Sequence, residues 1–285
     1  MKIIERKTKK TIDLKDSCSL RFLYNTKLGR IILKLFIGKK ASILFGKLTN
    51  TKLSKLFIKR FIKKHNINIE EYEEKEYKSF NDFFIRKIKK GKRPFDNKKE
   101  IFPSVADSNL TAYQITKDLK LKIKNSIYDV EELIKDKNKL EKYNNGICLV
   151  FRLCADNYHR YIYPDNGTLK KTYHIEGLLH TVQPIALSRY KVFIENDREV
   201  SILKTENFGD IAYIEVGALN VGKIHNTSKK SFKKGEEKGY FSFGGSTIIL
   251  LIEKDKIKVD EDIIKNTKED IETKVLQGES IAKRY

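Results

Sequence analysis

Cysteine is scarce in this sequence, with three residues in a chain of 285. Three cysteines cannot crosslink a chain of this length, which excludes a disulfide scaffold. No two of them have the Cys-x-x-Cys spacing of a zinc site, so we expect no metal centre. The chain therefore has to fold on its own hydrophobic core, and its length suits one or two domains.

Long apolar runs are also missing. Residues 248–252 form one of the longest, far short of the roughly 20 residues that cross a bilayer. Residues 1–7 lack the apolar segment of a signal peptide. From these absences we expect no membrane-spanning helix and a cytoplasmic location.

Acidic residues are absent from positions 17–69, although that stretch carries thirteen Lys and Arg residues. Apolar side chains recur there at helical spacing, as in Leu53, Leu56, Phe57 and Phe61, and glycines interrupt them. The pattern predicts two or three short helices. A basic amphipathic stretch is typical of a protein that binds an anionic membrane surface, where each Lys or Arg contributes about 1 kcal/mol. The alternative is a helical layer whose apolar face belongs to the core.

The residue pattern of the sequence changes after the acidic residues 70–76. Short runs rich in β-branched residues then alternate with turns, which predicts strands at 119–123, 146–151, 192–194, 211–216 and 247–252. Helices are predicted at 129–142 and 260–274. We therefore expect an α+β protein with a basic helical region at 1–76 and a mostly antiparallel β body at 77–285.

Three residues stand out for their chemistry, although none is specific alone. Ser246 follows Gly244 and Gly245 and precedes an apolar strand, so it is either a nucleophile or part of a tight turn. His159 has a side chain suited to acid–base work, but a lone His is more often structural. Asp107 is equally typical of a turn.

Ordered blocks along residues 80–253 resemble the phosphatidylserine decarboxylases, a pyruvoyl-dependent family of which this chain looks like a prokaryotic-type member. The set is far more specific than any one motif, because its blocks come in the family's order. They lie at residues 80–86, 90–94, 104–110, 123–128, 152–160, 177–184, 196–198, 215–224 and 234–247.

The resemblance implies that the chain cuts itself between Gly245 and Ser246. The Ser246 hydroxyl would attack the preceding carbonyl, with His159 as the base and Asp107 as the carboxylate that orients it. Elimination and hydrolysis would then leave a pyruvoyl group, the covalent cofactor, in place of Ser246. The products would be chains 1–245 and 246–285, which stay associated.

The resemblance also implies the reaction. The pyruvoyl carbonyl would form a Schiff base with the amine of phosphatidylserine and draw electrons from the breaking bond to the carboxylate. The products would be phosphatidylethanolamine and CO2, and His159 is the candidate proton donor. Because the substrate would be a membrane lipid, we expect the basic helices to hold the body at the cytoplasmic face of the membrane. Members of the family often form dimers, and the sequence leaves that question open.

The sequence departs from the family pattern at three positions. Ile162 stands where many members have a second His, so either His159 serves both reactions or another residue such as His180 or His174 takes part. Val105 replaces a Pro, and Asn157 replaces an Asp.

Two other functions remain as alternatives. The net charge of +21 and the interleaved aromatic residues suit a nucleic-acid-binding protein, but no zinc, helix-turn-helix or RNP-like motif supports that class, and we expect no nucleic-acid partner. The second alternative is a relative that binds membranes without processing itself, against which the intact Asp107, His159 and Ser246 argue.

Overall fold

The computed structural model describes residues 1–14, 16–123, 126–136, 140–219, 223–227 and 229–285. The predicted motif positions 124–125 and 220–222 lie outside these ranges. The helices are α1 Cys18–Asn25, α2 Lys27–Phe36, α3 Lys39–Thr49, α4 Leu56–His65, α5 Phe80–Phe84, α6 Val130–Ile134, α7 Pro184–Leu187, α8 Val192–Glu195 and α9 Glu261–Lys268. Short 3-10 helices span Lys52–Lys55, Ile69–Glu71 and Leu140–Tyr143.

The strands include two at the N-terminus that the sequence analysis does not predict. They are β1 Lys2–Glu5, β2 Thr11–Asp13, β3 Ile101–Pro103, β4 Ser108–Gln114, β5 Lys120–Ile123, β6 Ser126–Asp129, β7 Ile147–Leu153, β8 Arg160–Ile162, β9 Gly167–Ile175, β10 Arg198–Thr205, β11 Asp210–Gly217, β12 Ile224–Asn226, β13 Ser231–Phe232, β14 Glu237–Phe241, β15 Ser246–Ile252, β16 Ile257–Val259, β17 Ile271–Val275 and β18 Ser280–Arg284.

The main sheet has ten strands in the order β13-β9-β10-β11-β15-β7-β4-β17-β1-β2. Neighbouring strands are antiparallel except β1 and β17, which are parallel. Strand β15 lies near the middle, between β11 and β7, and is buried along its whole length. A strand covered on both faces needs apolar residues at consecutive positions, which explains the run at 248–252. The predicted α+β class with mostly antiparallel strands is confirmed.

Smaller sheets flank the main one. One has the order β12-β14-β8, a second has the order β16-β18-β3, and β5 pairs with β6. The first matters for the site, because β14 ends just before the glycines that precede Ser246 and β8 follows His159 directly.

The acid-free stretch forms four α-helices, where the spacing predicts two or three. Ser17 caps α1, and Thr26 ends α1 and caps α2 through its hydroxyl. Tyr24 and Leu33 are buried in the main core, and Ile58 packs with the phenylalanines of α5. The other face of these helices leaves large apolar side chains exposed: Leu28, Ile31, Leu35, Phe36, Ile43, Leu44, Leu48, Leu53, Leu56 and Phe57. We call this set the exposed apolar face.

Three secondary-structure predictions were wrong, two of them in part. The helix predicted at 129–142 ends at Ile134, because Lys135 takes a left-handed conformation. Positions 137–139 of that prediction lie outside the described residues. The helix predicted at 260–274 ends at Lys268, and the rest becomes β17, whose residues pair with β1 and β4. Residues 192–194 form one helical turn and no strand.

A buried ion pair ties the strand before His159 to the C-terminal part of the sheet. The Nε atom of Arg152 on β7 donates to both carboxylate oxygens of Glu272 on β17, at 3.0 and 3.1 Å. Both side chains are almost fully buried. Such a pair contributes less than its Coulomb energy, but removing one partner leaves a charge without compensation in the interior.

Glu272→Gln should therefore lower the free energy of unfolding by about 3–5 kcal/mol, measured by urea denaturation. The matched control is Glu74→Gln, which breaks an exposed ion pair with Lys89 and should cost less than about 1 kcal/mol. Equal losses in the two variants would contradict the assignment of Arg152 and Glu272 as a buried structural pair.

Candidate active site

Ser246 is the first residue of β15, and its side chain is fully buried. It is in register with Gly217 of β11 on one side and Leu153 of β7 on the other. The preceding Gly244 has φ = +141°, a conformation that residues with a Cβ rarely adopt. The chain therefore enters the central strand β15 through a turn that needs glycine at position 244. Ser246 is the first residue of the strand after that turn.

His159 is brought to Ser246 by the turn that follows β7. Asn157 closes this turn, because its side-chain oxygen accepts the N–H of Cys154 at 2.7 Å. The Nδ1 atom of His159 lies 3.4 Å from the Ser246 Oγ, and its ring packs on Phe84 with the centroids 4.3 Å apart. The 3.4 Å separation is long for a tight hydrogen bond, but catalytic contacts often shorten only during reaction.

The backbone fixes the tautomer of His159. Its Nε2 atom lies 2.9 Å from the carbonyl oxygen of Cys154. A carbonyl oxygen can only accept, so Nε2 carries the hydrogen and donates it. The Nδ1 atom is then a bare acceptor directed at the Ser246 hydroxyl, which is the arrangement that a general base requires.

Burial lowers the pKa of His159 to about 3. The hydrogen bond to the Cys154 carbonyl acts in the opposite sense, and the positive charge of Arg86 adds to the lowering. The imidazole is therefore neutral across the physiological range and keeps the lone pair that could take a proton from serine.

Asp107 lies apart from His159. Its carboxylate accepts hydrogen bonds from Arg93 at 2.9 and 2.7 Å and from the backbone N–H of Gln277 at 2.8 Å. Over the ranges that the structure describes, no hydrogen bond joins Asp107 to His159. Instead the link is indirect, since the Gln277 side-chain amide donates to the carbonyl of Arg160 at 2.8 Å.

The other histidines predicted as candidates have different partners. His180 is buried, with its Nδ1 atom 3.3 Å from the Tyr24 hydroxyl and its ring stacked on Tyr190. His174 lies at the surface on β9, where its two nitrogens are each 3.1 Å from a carboxylate oxygen, of Asp197 and Glu199 respectively.

His225 is a neighbour of the site that sequence reasoning missed. Its Nε2 atom lies 2.9 Å from the hydroxyl of Ser242, four residues before Ser246. No local pattern marks this contact, because it depends on the pairing of β12 with β14.

The residues that depart from the family pattern are held by local contacts. Ile162 is buried on β8, and its N–H donates to the carbonyl of Val105 at 3.0 Å. An apolar side chain thus stands where many family members have a second His. Asn157 stabilises the turn that carries His159 through its hydrogen bond to Cys154.

The chain is similar to known proteins over most of its length. A family model described as phosphatidylserine decarboxylase matches residues 80–283. Phosphatidylserine decarboxylase proenzyme 2 of Clostridium acetobutylicum is 55% identical over 266 residues, which cover 92% of this chain and 90% of that protein. The proenzyme of Clostridium botulinum strain Eklund 17B is 45% identical, covering 92% and 91%. That of Ruminiclostridium cellulolyticum is 43% identical, covering 99% and 97%.

Proposed function

Because the chain belongs to the phosphatidylserine decarboxylase family, we propose that Ser246 cuts the bond joining it to Gly245 and becomes the pyruvoyl group of the mature enzyme. The activity of the chain is decarboxylation of phosphatidylserine to phosphatidylethanolamine and CO2. The names of the relatives describe them as proenzymes, which are precursors that require maturation.

One observation carries the proposal for maturation: the Ser246 Oγ lies 3.4 Å from a His159 nitrogen that is held as an acceptor. Both side chains are fully buried, so the reacting groups are shielded from bulk solvent. In such a site the hydroxyl proton can pass to His159 while the oxygen attacks the neighbouring carbonyl of Gly245. Gly244 and Gly245 allow the backbone to bend toward that attack.

The proposed cut moves the Gly245 acyl group from the nitrogen to the oxygen of Ser246. The Ser246 oxygen bonds to the Gly245 carbonyl carbon, the peptide C–N bond breaks, and His159 returns its proton to the freed amine. In the elimination that follows, the α-proton of residue 246 passes to the neutral His159, the Cβ–O bond of the ester breaks, the Gly245 carboxylate leaves, and an enamine remains at position 246. One water molecule then releases ammonia and leaves the keto group.

Asp107 enters this proposal as a positioning residue. It holds the backbone of Gln277, and the Gln277 side chain holds the carbonyl of Arg160, the residue after His159. Its carboxylate would thus fix the strand that directly follows the base, while the Cys154 carbonyl orients the imidazole itself.

A group formed at position 246 would be enclosed by protein, because the Ser246 side chain is fully buried. When formed, the pyruvoyl group supplies an electron sink for the electrons released with CO2. His159 remains the proposed source of the proton that replaces the lost carboxylate, and its neutral Nδ1 must first take up a proton that the substrate ammonium loses.

The two products of the cut are proposed to remain one protein. Residues 246–285 supply β15, which is paired on both sides with strands of the larger chain. They also supply β17, paired with β1 and β4. Separating the chains would expose the middle of the main sheet, which is why we expect a permanent complex.

The exposed apolar face is proposed to bind the membrane that holds the substrate. Leu53 and Leu56 are 76% and 78% exposed, beside Lys52, Lys55 and Lys59. No helix in the described ranges has the length and apolar character to span a bilayer. A basic surface with protruding leucines suits shallow insertion among anionic lipids. Attachment at the cytoplasmic face stays a prediction from the sequence.

Maturation is tested by the intact mass of the denatured protein. Wild type should give two chains, 1–245 and 246–285, the smaller with a pyruvoyl N-terminus. Ser246→Ala should stay a single chain of 33.3 kDa, and His159→Gln should slow the cut by about 100-fold or more. The matched control is Ser242→Ala, which should still be cut. An uncut wild-type chain would contradict the proposal.

The rate of the cut should depend little on pH between about 5 and 8. The pKa of His159 is lowered to about 3, so its basic form is complete well above that pH and is lost only as the pH falls toward it. The measurement is cleavage of freshly translated precursor after transfer to buffers of different pH. A tenfold fall per pH unit below 6.5 would show that His159 titrates as an exposed imidazole.

Membrane binding is tested with vesicles of neutral lipid and phosphatidylglycerol. Replacing Leu53 and Leu56 together by Ser should weaken co-sedimentation by at least about tenfold, because two inserted side chains are lost. The control replaces Ile12 and Ile127, which are exposed outside the exposed apolar face. Equal binding of the two double variants would exclude this face as the membrane contact.

A further inference from the structure

A cleft of about 330 Å³ lies between helix α3 and the main sheet. Helix α3 contributes Lys39 and Ile43 to its lining, and the sheet side contributes Gly217. Lys223 and Ile224, at the start of β12, close another side. The helix is one of those that carry the exposed apolar face, so the cleft lies between that face and the sheet.

The floor of the cleft is next to Ser246. Gly217 is the register partner of Ser246 in the antiparallel pair of β11 and β15. Directly paired residues lie about 4.5–5.5 Å apart between Cα atoms and direct their side chains to the same face of the sheet. Because glycine has no side chain, no side chain at position 217 stands between the floor and Ser246, which is itself fully buried and does not line the cleft.

The positive charges in the cleft differ in their partners. Lys39 is neutralised, with its Nζ atom 3.0 Å from Glu176 and 3.1 Å from Asp197. Lys223 has no carboxylate partner among the residues that the structure describes. Its carbonyl oxygen accepts the N–H of Ser242 at 2.9 Å, so its backbone is attached to the segment that leads to the cut.

We propose that this cleft admits the headgroup of the lipid and that Lys223 binds its phosphodiester. The inference rests on the proposed function, which places the reacting carbonyl at position 246. In phosphatidylserine the amine nitrogen and the phosphorus are four covalent bonds apart, a span of about 5 Å. That span matches the step of one strand from Ser246 to Gly217, which brings the phosphate into the cleft.

The acyl chains then have an open route. Ile43 lines the cleft and is 55% exposed, and its neighbour Leu44 belongs to the exposed apolar face. A lipid with its phosphate at Lys223 can therefore leave its tails along α3 at the bilayer surface. The carboxylates that line the cleft, Asp197 and Glu199, already have Lys39 and His174 as partners, which leaves Lys223 for the phosphodiester.

The test uses processed enzyme and a short-chain phosphatidylserine that is monomeric in solution, so that membrane binding plays no part. Lys223→Ala should raise KM at least about tenfold with kcat within about twofold, because a charged hydrogen bond to the bound substrate is lost. Lys223→Arg should stay close to wild type. The control Lys258→Ala removes an exposed charge on β16 and should change neither constant.

An unchanged KM in Lys223→Ala would overturn the proposal. A second measurement needs no variant: glycerophosphoserine should inhibit the wild type more strongly than serine does, and equal inhibition would also overturn it. Chain masses are recorded for every sample. Absence of the cut in wild type contradicts the proposed maturation, whereas a cut and active enzyme that is indifferent to Lys223 contradicts the headgroup site alone.

Discussion

The site depends on one hydrogen bond, from Nε2 of His159 to the carbonyl of Cys154. It decides which nitrogen faces Ser246, and burial then keeps that nitrogen unprotonated. A backbone carbonyl is a durable partner for this purpose, because it cannot ionise and cannot turn away without undoing the turn after β7. An imidazole held in this way can act as the proposed base without a carboxylate in contact with it.

The turn itself is held from several directions. Arg152 reaches Glu272 on β17 and also places a guanidinium nitrogen 3.0 Å from the Cys154 sulfur. Asn157 closes the turn from within, and Gln277 anchors the residue that follows His159. Residues far apart in the chain thus converge on a few backbone atoms, which limits how far the imidazole can move from Ser246.

The sequence predicts the centre of the fold well and its borders less well. The strands around 146–151, 211–216 and 247–252 are almost wholly apolar, with Glu215 as the one charged residue, and burial on both faces demands such runs. Residues 271–275 carry charged side chains and form a strand because β1 and β4 flank them, which no local pattern shows. Likewise Ser246 and His159 are predictable from ordered motifs, whereas the partners of Asp107 and His225 depend on long-range packing.

The position of β15 gives the proposed maturation an order in time. The bond to be cut precedes a strand that is buried in the middle of the main sheet, and the base comes from the turn after the adjacent strand. The hydroxyl and the imidazole meet only after β7 and β15 have paired. A chain that misfolds at its centre would never acquire the reactive carbonyl. Under this proposal, the pyruvoyl group is present only in molecules that have completed folding. Misfolded molecules would therefore lack the cofactor and be inactive.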